Sequence, residues 1–318
     1  MTNHASNEKA DSETGPAHRV FGWLKDNPYL LLALASLFWS GNHILGRAVA
    51  GHVPPIGIST VRWLIPALLL WPMARHHLKH DWPLIRTHWG IMLWLGITGG
   101  ALFTALQYVG LQYTSALNVS VWNSLVPVLI VAAGAILFRD GIGARQIAGI
   151  TTSSVGVLII IARGQFETLR HLELNWGDLI IVFNMMVFAI YATYLRQRPQ
   201  IHWLSFIFVL AVISAASTMP FFIWESVAGN TFNPTLLTAI AIVYVAIFPS
   251  VVAFAAWNRG VELIGASRSG PFLHLIPIYT ALLATALLGE TLTAHHVMGF
   301  VLITVGVWLA SRNETEVQ

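Results

Sequence analysis

The residues best placed to do chemistry in this chain are polar side chains one turn ahead of two prolines. Asn123 lies four residues before Pro127, while Ser124 and His274 lie three residues before Pro127 and Pro277. In a helix, a proline at position i leaves the carbonyl at i−4 without its usual donor. The carbonyls of Asn123 and Leu273 are therefore expected to be free. Free carbonyls beside amide side chains suit an ammonium or carboxylate group of a ligand. The alternative is that these side chains only glue helices together. The two prolines read either as matched hinges or as static kinks that shape a cavity.

Ionisable groups are informative mainly by where they are missing. No Asp or Glu falls near the middle of an apolar stretch: Asp140, Asp178, Glu225 and Glu290 all sit near the ends of such stretches. A carboxylate relay of the kind many pumps use is therefore not expected. His43 and His274 are the only groups at mid-depth whose ordinary titration falls near neutrality. Facilitated exchange and proton antiport both stay open. Arg62 is expected to satisfy carbonyls or cap a neighbouring helix, and Arg47 to snorkel to the outer interface. Either could instead attract a carboxylate.

These side chains must be positioned by helices in lipid. Of 318 residues, 56% are hydrophobic and only 10% charged. Seven charges stand in residues 1–28 and three in 311–318, leaving 21 for residues 29–310. So few charges cannot wet a surface all round, which excludes an ordinary soluble enzyme. With a net charge of +3 and no basic stripe, nucleic acid is not an expected partner. The chain contains no cysteine, so disulfides and thiolate chemistry are excluded. The first 25 residues are polar and do not read as a secretory signal peptide. Apolar stretches predict ten transmembrane helices at 29–48, 56–74, 89–109, 117–138, 146–162, 177–196, 203–224, 236–256, 268–288 and 294–310. With an even number of spans and the N-terminus inside, thirteen Lys and Arg fall on the cytoplasmic side and two, Arg163 and Arg170, outside. Both termini are therefore expected in the cytoplasm, and the protein in the plasma membrane.

A shift of 150 residues lays 110–157 over 260–307. It pairs Gly110/Gly260, Pro127/Pro277, Gly149/Gly299 and Gly156/Gly306, and sets Asp140 opposite Glu290. Each copy would hold five spans, so the second is inverted relative to the first. The expected organisation is a cytoplasmic tail (1–28), a first five-helix repeat (29–162), a connector (163–176), a second five-helix repeat (177–310) and a tail (311–318). The fold class is thus an all-α integral membrane protein of two inverted repeats, an arrangement many secondary transporters use around a midplane site.

Several segments carry a family likeness. The run FWSGNHILGR, followed by Pro54-Pro55 and Arg62, opens the first half; GLQYTSALNVSVWNSLVPVL leads into the fourth span. GASRSGPFLHLIPIYTALLATALLGETLT and GFVLITVGVWLA close the second half. In order and spacing these resemble EamA-type transporters of the drug/metabolite transporter superfamily, over nearly all of 29–310. The first half departs at Arg139-Asp140, where the family often has Leu and Glu, but a carboxylate is kept. FAAWN at 254–258 and the Asn123 to Pro127 spacing are most similar to the aromatic amino-acid exporter branch.

The resemblance implies export of small metabolites, often amino acids, with no cofactor, and it implies that Phe103, Phe188 and Trp257 face a cavity. Tyr191 and Gln107 share faces with Phe188 and Phe103. Asn42 and His43, within the opening motif, join the expected substrate contacts, along with Asn123, Ser124 and His274. A pocket of aromatic faces and a few amides would accept an aromatic or apolar amino acid. Two other classes make different demands. A membrane-embedded enzyme would need an acid–base pair or metal cluster within the spans. A scaffold would have no use for inverted halves. The run RHHLKHDW (75–82) reads as a cationic cytoplasmic loop, and as a metal site only if helical. A monomer in the lipid bilayer is the simplest expectation.

Overall fold

The computed structural model describes residues 27–114, 119, 122–123, 125–162, 175–288 and 294–311. The tails, most of the connector, Ser124 and Glu290 lie outside the described residues. All regular secondary structure among the described residues is helical, with no strand among them. We number the helices α1 (Pro28–Ala48), α2 (Pro55–Thr87), α3 (Trp89–Tyr113), α4 (Val126–Phe138), α5 (Ala144–Ile161), α6 (Trp176–Tyr194), α7 (Trp203–Val227), α8 (Leu236–Ile264), α9 (Leu275–Leu288) and α10 (Ala294–Ser311). Six of them, α1, α2, α3, α6, α7 and α8, are long and apolar enough to cross a membrane. Helices suit this setting because they satisfy their own backbone polar groups.

Two of the acids near span ends, Asp178 and Glu225, turn out to be caps. Asn175 and Asp178 close a reciprocal capping box at the start of α6, and Thr114 at the end of α3 donates to Asp178 at 2.5 Å. Glu225 on α7 accepts the first amides of α2, from Ile56 at 3.3 Å and Gly57 at 2.8 Å. A carboxylate at a helix N-terminus is favoured by the orphan amides and the dipole there. Asp140 and Arg196 form a bidentate pair (2.9 and 2.5 Å) that ties the turn after α4 to the turn ending α6.

Several boundaries differ from the sequence reading: α2 and α8 end later than expected, and α4 and α9 begin later. The second span, expected to stop at 74, runs on to Thr87, so 75–82 is helix and not loop. Cations end the apolar stretch, but nothing there removes the i→i−4 ladder for long: Pro72 and Pro83 each delete one bond and the helix resumes. Pro127 and Pro277 are not in mid-helix. Pro127 falls in the first turn of α4 and Pro277 in the first turn of α9, after the tight turn Gly270–His274. In a first turn the missing N–H is no loss.

Two helices contain a wide π turn, α3 at Gly96–Leu102 and α8 at Phe248–Val252. α2 packs on α7, α5 on α10, α3 on α6, and α1 on α8 and α9. The α5–α10 contact is made through glycine. A Cβ on Gly149 would stand 2.6 Å from the Gly306 carbonyl oxygen, and one on Gly156 2.8 Å from the Gly299 oxygen. Backbone touches backbone here, which only small residues allow.

Two predictions follow from this packing. Gly156→Ala should destabilise the protein by about 1–3 kcal/mol, the usual cost of overpacking, and lower its melting temperature in detergent; an unchanged melt would refute the close contact. The Arg196 hydrogen bonds hold the Asp140 carboxyl below its ordinary value of 3.8. A depressed carboxyl contributes stability that is full above its unfolded value and lost as pH falls through the folded one. The melting-temperature gap between wild type and Asp140→Asn should therefore be widest near neutral pH and close in acid; a gap constant with pH would count against the pair.

Candidate functional site

A small cavity lies where α1, α2, α3, α4, α6 and α9 meet, with the tight turn before α9 forming part of its wall. Its walls are Trp39, Asn42, His43, Arg62, Phe103, Gln107, Asn123, Val126, Met185, Phe188, Leu273 and Ile276, and its volume is about 20 Å³. Helical spacing explains the lining. Trp39, Asn42 and His43 share a face of α1, as do Phe103 and Gln107 on α3 and Met185 and Phe188 on α6.

Arg62 is the one charged group on the wall, and it is 1% exposed. Its Nε donates to Ser250 Oγ at 2.8 Å and its Nη1 to Tyr108 OH at 3.2 Å. Tyr108 OH in turn donates to Asn42 Oδ1 at 2.6 Å, and Ser250 Oγ to the Val245 carbonyl at 2.6 Å. Both residues that hold the guanidinium are thus themselves oriented, Ser250 inside the wide turn of α8. The guanidinium carbon lies 5.6 Å from the Trp63 ring centroid and 5.8 Å from that of Tyr108, within cation–π range. Nη2 has no partner, and among the described residues no Asp or Glu lines the cavity. A buried cation without a counter-charge is expensive. Further donors nearby are also unmatched: Gln107 Nε2 and Asn123 Nδ2 have no acceptor, and His43 Nδ1 has no partner. Gln107 is held by its other end, its Oε1 accepting from Asn184 at 3.2 Å.

The apolar side is an aromatic cluster. Phe103 and Phe188 have ring centroids 4.7 Å apart, Trp39 meets Phe188 edge-on at 5.6 Å, and Trp257 lies 5.5 Å from both Phe188 and Trp39. Such geometry gives a firm, low-entropy wall.

Of the residues read from sequence as substrate contacts, Asn42, His43, Phe103, Gln107, Asn123 and Phe188 line this cavity. Trp257 and Tyr191 do not reach it; they back its aromatic wall. Tyr191 OH donates to Asn258 Oδ1 at 2.5 Å. His274 points away and bonds Ser153 Oγ on α5 at 2.6 Å. Ser124 lies outside the described residues. The Leu273 carbonyl, expected to be free, accepts the Leu275 amide inside the tight turn. Arg62 holds side-chain hydroxyls, not carbonyls, and Arg47 caps α3 by donating to the Leu111 carbonyl at 2.9 Å. Sequence reasoning missed Trp39 and Met185, although each lies three residues before a residue it picked out.

The helical run 75–82 makes no metal centre. His77 stacks on His202 at 3.7 Å, and Asp81 accepts the His202 amide. Among the described residues no group of three or more His, Cys, Asp or Glu could hold an ion.

Comparison with known proteins agrees with this architecture. The model of the EamA-like transporter family matches residues 27–162 and 175–312. A Bacillus subtilis protein named uncharacterized transporter YyaM is 30% identical over 288 residues, covering 90% of this chain and 93% of that one. A protein of Salmonella typhimurium named as a probable amino-acid metabolite efflux pump is 22% identical, covering 88% of this chain and 93% of its own length. One solved crystal structure superposes with a TM-score of 0.70 at 17% identity over 89% of this chain, a likeness of fold alone. The chain belongs to the EamA-like transporter family.

Proposed function

We propose that this membrane transporter carries small carboxylate-bearing metabolites, aromatic and apolar amino acids foremost, by alternating access around the Arg62 cavity. The observation that carries the reading is the unpartnered Nη2 of Arg62 on a cavity wall that holds unmatched amide donors and no acid. A carboxylate would supply the missing counter-charge and accept from those donors. The aromatic wall of Trp39, Phe103 and Phe188 would take the apolar body of the same molecule. Amino-acid export also agrees with the name of the Salmonella relative.

In this proposal the chain crosses the membrane ten times, with both termini in the cytoplasm and halves 29–162 and 177–310 inverted. Three pairings support the inversion. The wide turn of α3, shifted by 150 residues, overlaps that of α8. The Gly149–Gly306 contact becomes Gly299–Gly156 under the same shift, and both contacts exist. Tyr108 and Asn258 are equivalent positions, and each bonds a partner, Asn42 or Tyr191, that lies within one residue of equivalence. Each half thus carries a Tyr–Asn bond with the roles exchanged. Pro127 and Pro277, at the entries of α4 and α9, are the matched hinges. A cavity of about 20 Å³ has room for about one water, whereas ligand pockets run to about 300–1,000 Å³. A substrate can enter only when the halves part, as an occluded state between two open ones requires.

The test is flux of labelled phenylalanine and leucine in proteoliposomes holding only this protein. Arg62→Gln should cut phenylalanine flux by about 10-fold or more, since a hydrogen bond to a charged group is worth about 1.5–3 kcal/mol. Phenethylamine, which lacks the carboxylate, should compete poorly with wild type. Equal competition by the amine, or full flux in a folded Arg62→Gln variant, would sink the carboxylate assignment. His43 is the only imidazole on the cavity wall. With no acid there, flux should not follow an imposed pH gradient. A gradient that drives wild type and not His43→Gln would instead establish proton antiport through His43.

A further inference from the structure

A second, larger hollow opens on the outer face of the bundle, between the far end of α2 and the first half of α7. Its volume is about 750 Å³, and its lining includes Trp71, Arg75, Lys79 and Trp82 from α2 and Phe208 and Val212 from α7. It is separate from the Arg62 cavity and shares no residue with it.

Its chemistry is two-part. Arg75, Lys79, Trp82 and Arg86 stand at i, i+4, i+7 and i+11, one face of a helix. Arg86 lines an adjoining hollow with Trp82 and Trp89. None of these three cations is in an ion pair among the described residues. Below them the floor is apolar. The Trp71 and Phe208 rings lie 5.5 Å apart, and Trp71 and Val212 are 52% and 41% exposed. Depth fits the same division. α2 begins at Pro55, so Arg75 stands about 30 Å along it at 1.5 Å per residue, which matches the thickness of the hydrocarbon core. The cations therefore stand at headgroup level and the apolar floor at acyl-chain level.

The geometry points to a binding site for one anionic phospholipid, its phosphate on Arg75 and Lys79 and its acyl chain along Trp71, Phe208 and Val212. A cationic pocket beside helices at the membrane surface is the complement of such a headgroup, and indoles favour that depth. A phosphate alone would leave the exposed apolar floor uncovered. A zwitterionic lipid would bring a choline cation against the arginine and lysine.

Native mass spectrometry of the full-length protein in detergent tests this, with palmitoyl-oleoyl phosphatidylglycerol and phosphatidylcholine as probes. Wild type should retain one phosphatidylglycerol saturably, with at least fivefold preference over phosphatidylcholine. Arg75→Gln/Lys79→Gln should abolish the preference. Val212→Trp, which fills the floor and keeps both charges, should reduce retention by a similar factor. Glycerol 3-phosphate should not displace the lipid. Equal retention of the two lipids by wild type would overturn the site, as would unchanged preference in both folded variants. Displacement by glycerol 3-phosphate would assign a free-phosphate site and overturn the lipid.

Discussion

A guanidinium buried in an apolar helix bundle is the constraint around which this molecule is arranged. Arg62 cannot shed its charge, and among the described residues no acid shares the cavity wall with it. Its cost is offset in part by hydroxyls and rings. Ser250 reaches it only because α8 widens at Phe248–Val252, and Tyr108 reaches it while held by Asn42. Three helices, α1, α3 and α8, are thereby tied to α2 through side chains alone. What stays unsatisfied is Nη2, on a residue that lines the cavity. A stability argument would have favoured an apolar residue at 62, and the retained charge is the feature on which the proposed carboxylate site rests.

The polar groups divide into two populations. At the ends of the spans, acids cap helices: Glu225 holds the start of α2, Asp178 the start of α6, and Asp140 pins a turn through Arg196. Around the cavity, the donors Arg62 Nη2, Gln107 Nε2 and Asn123 Nδ2 have no acceptor. Trp39 Nε1 and Trp63 Nε1 do find backbone oxygens, those of Pro249 and Gly100, and both oxygens belong to the wide turns of α8 and α3. Carbonyls displaced from the regular ladder in a π turn are available to such donors. The wide turns and the polar shell of the site therefore belong to one arrangement.

Much of the site was legible in the sequence. Asn42, His43, Phe103, Gln107, Asn123 and Phe188 could be picked out from family likeness and helical spacing, and they converge in space. Trp257, Tyr191 and His274 do not line the cavity, because periodicity gives a face of a helix but not which neighbour that face meets. Tyr191 meets Asn258, and His274 meets Ser153 across the bundle. The partners of Arg62 were hidden for the same reason. Tyr108 and Ser250 are 46 and 188 residues away, and no local pattern announces them.

Sequence alone determined the solvent and the medium of the fold. With 10% charge, most of it near span ends, only helices in lipid can satisfy the backbone, and their apolar lengths can be counted. Tertiary structure decided the rest. Charge density marks where apolar sequence ends but not where helix ends, so α2 ran thirteen residues past its expected boundary, to Thr87. Likewise, only packing could decide which donors are matched and which are left over, because satisfaction is a property of pairs brought together by the fold, and the unmatched donors are what define the site.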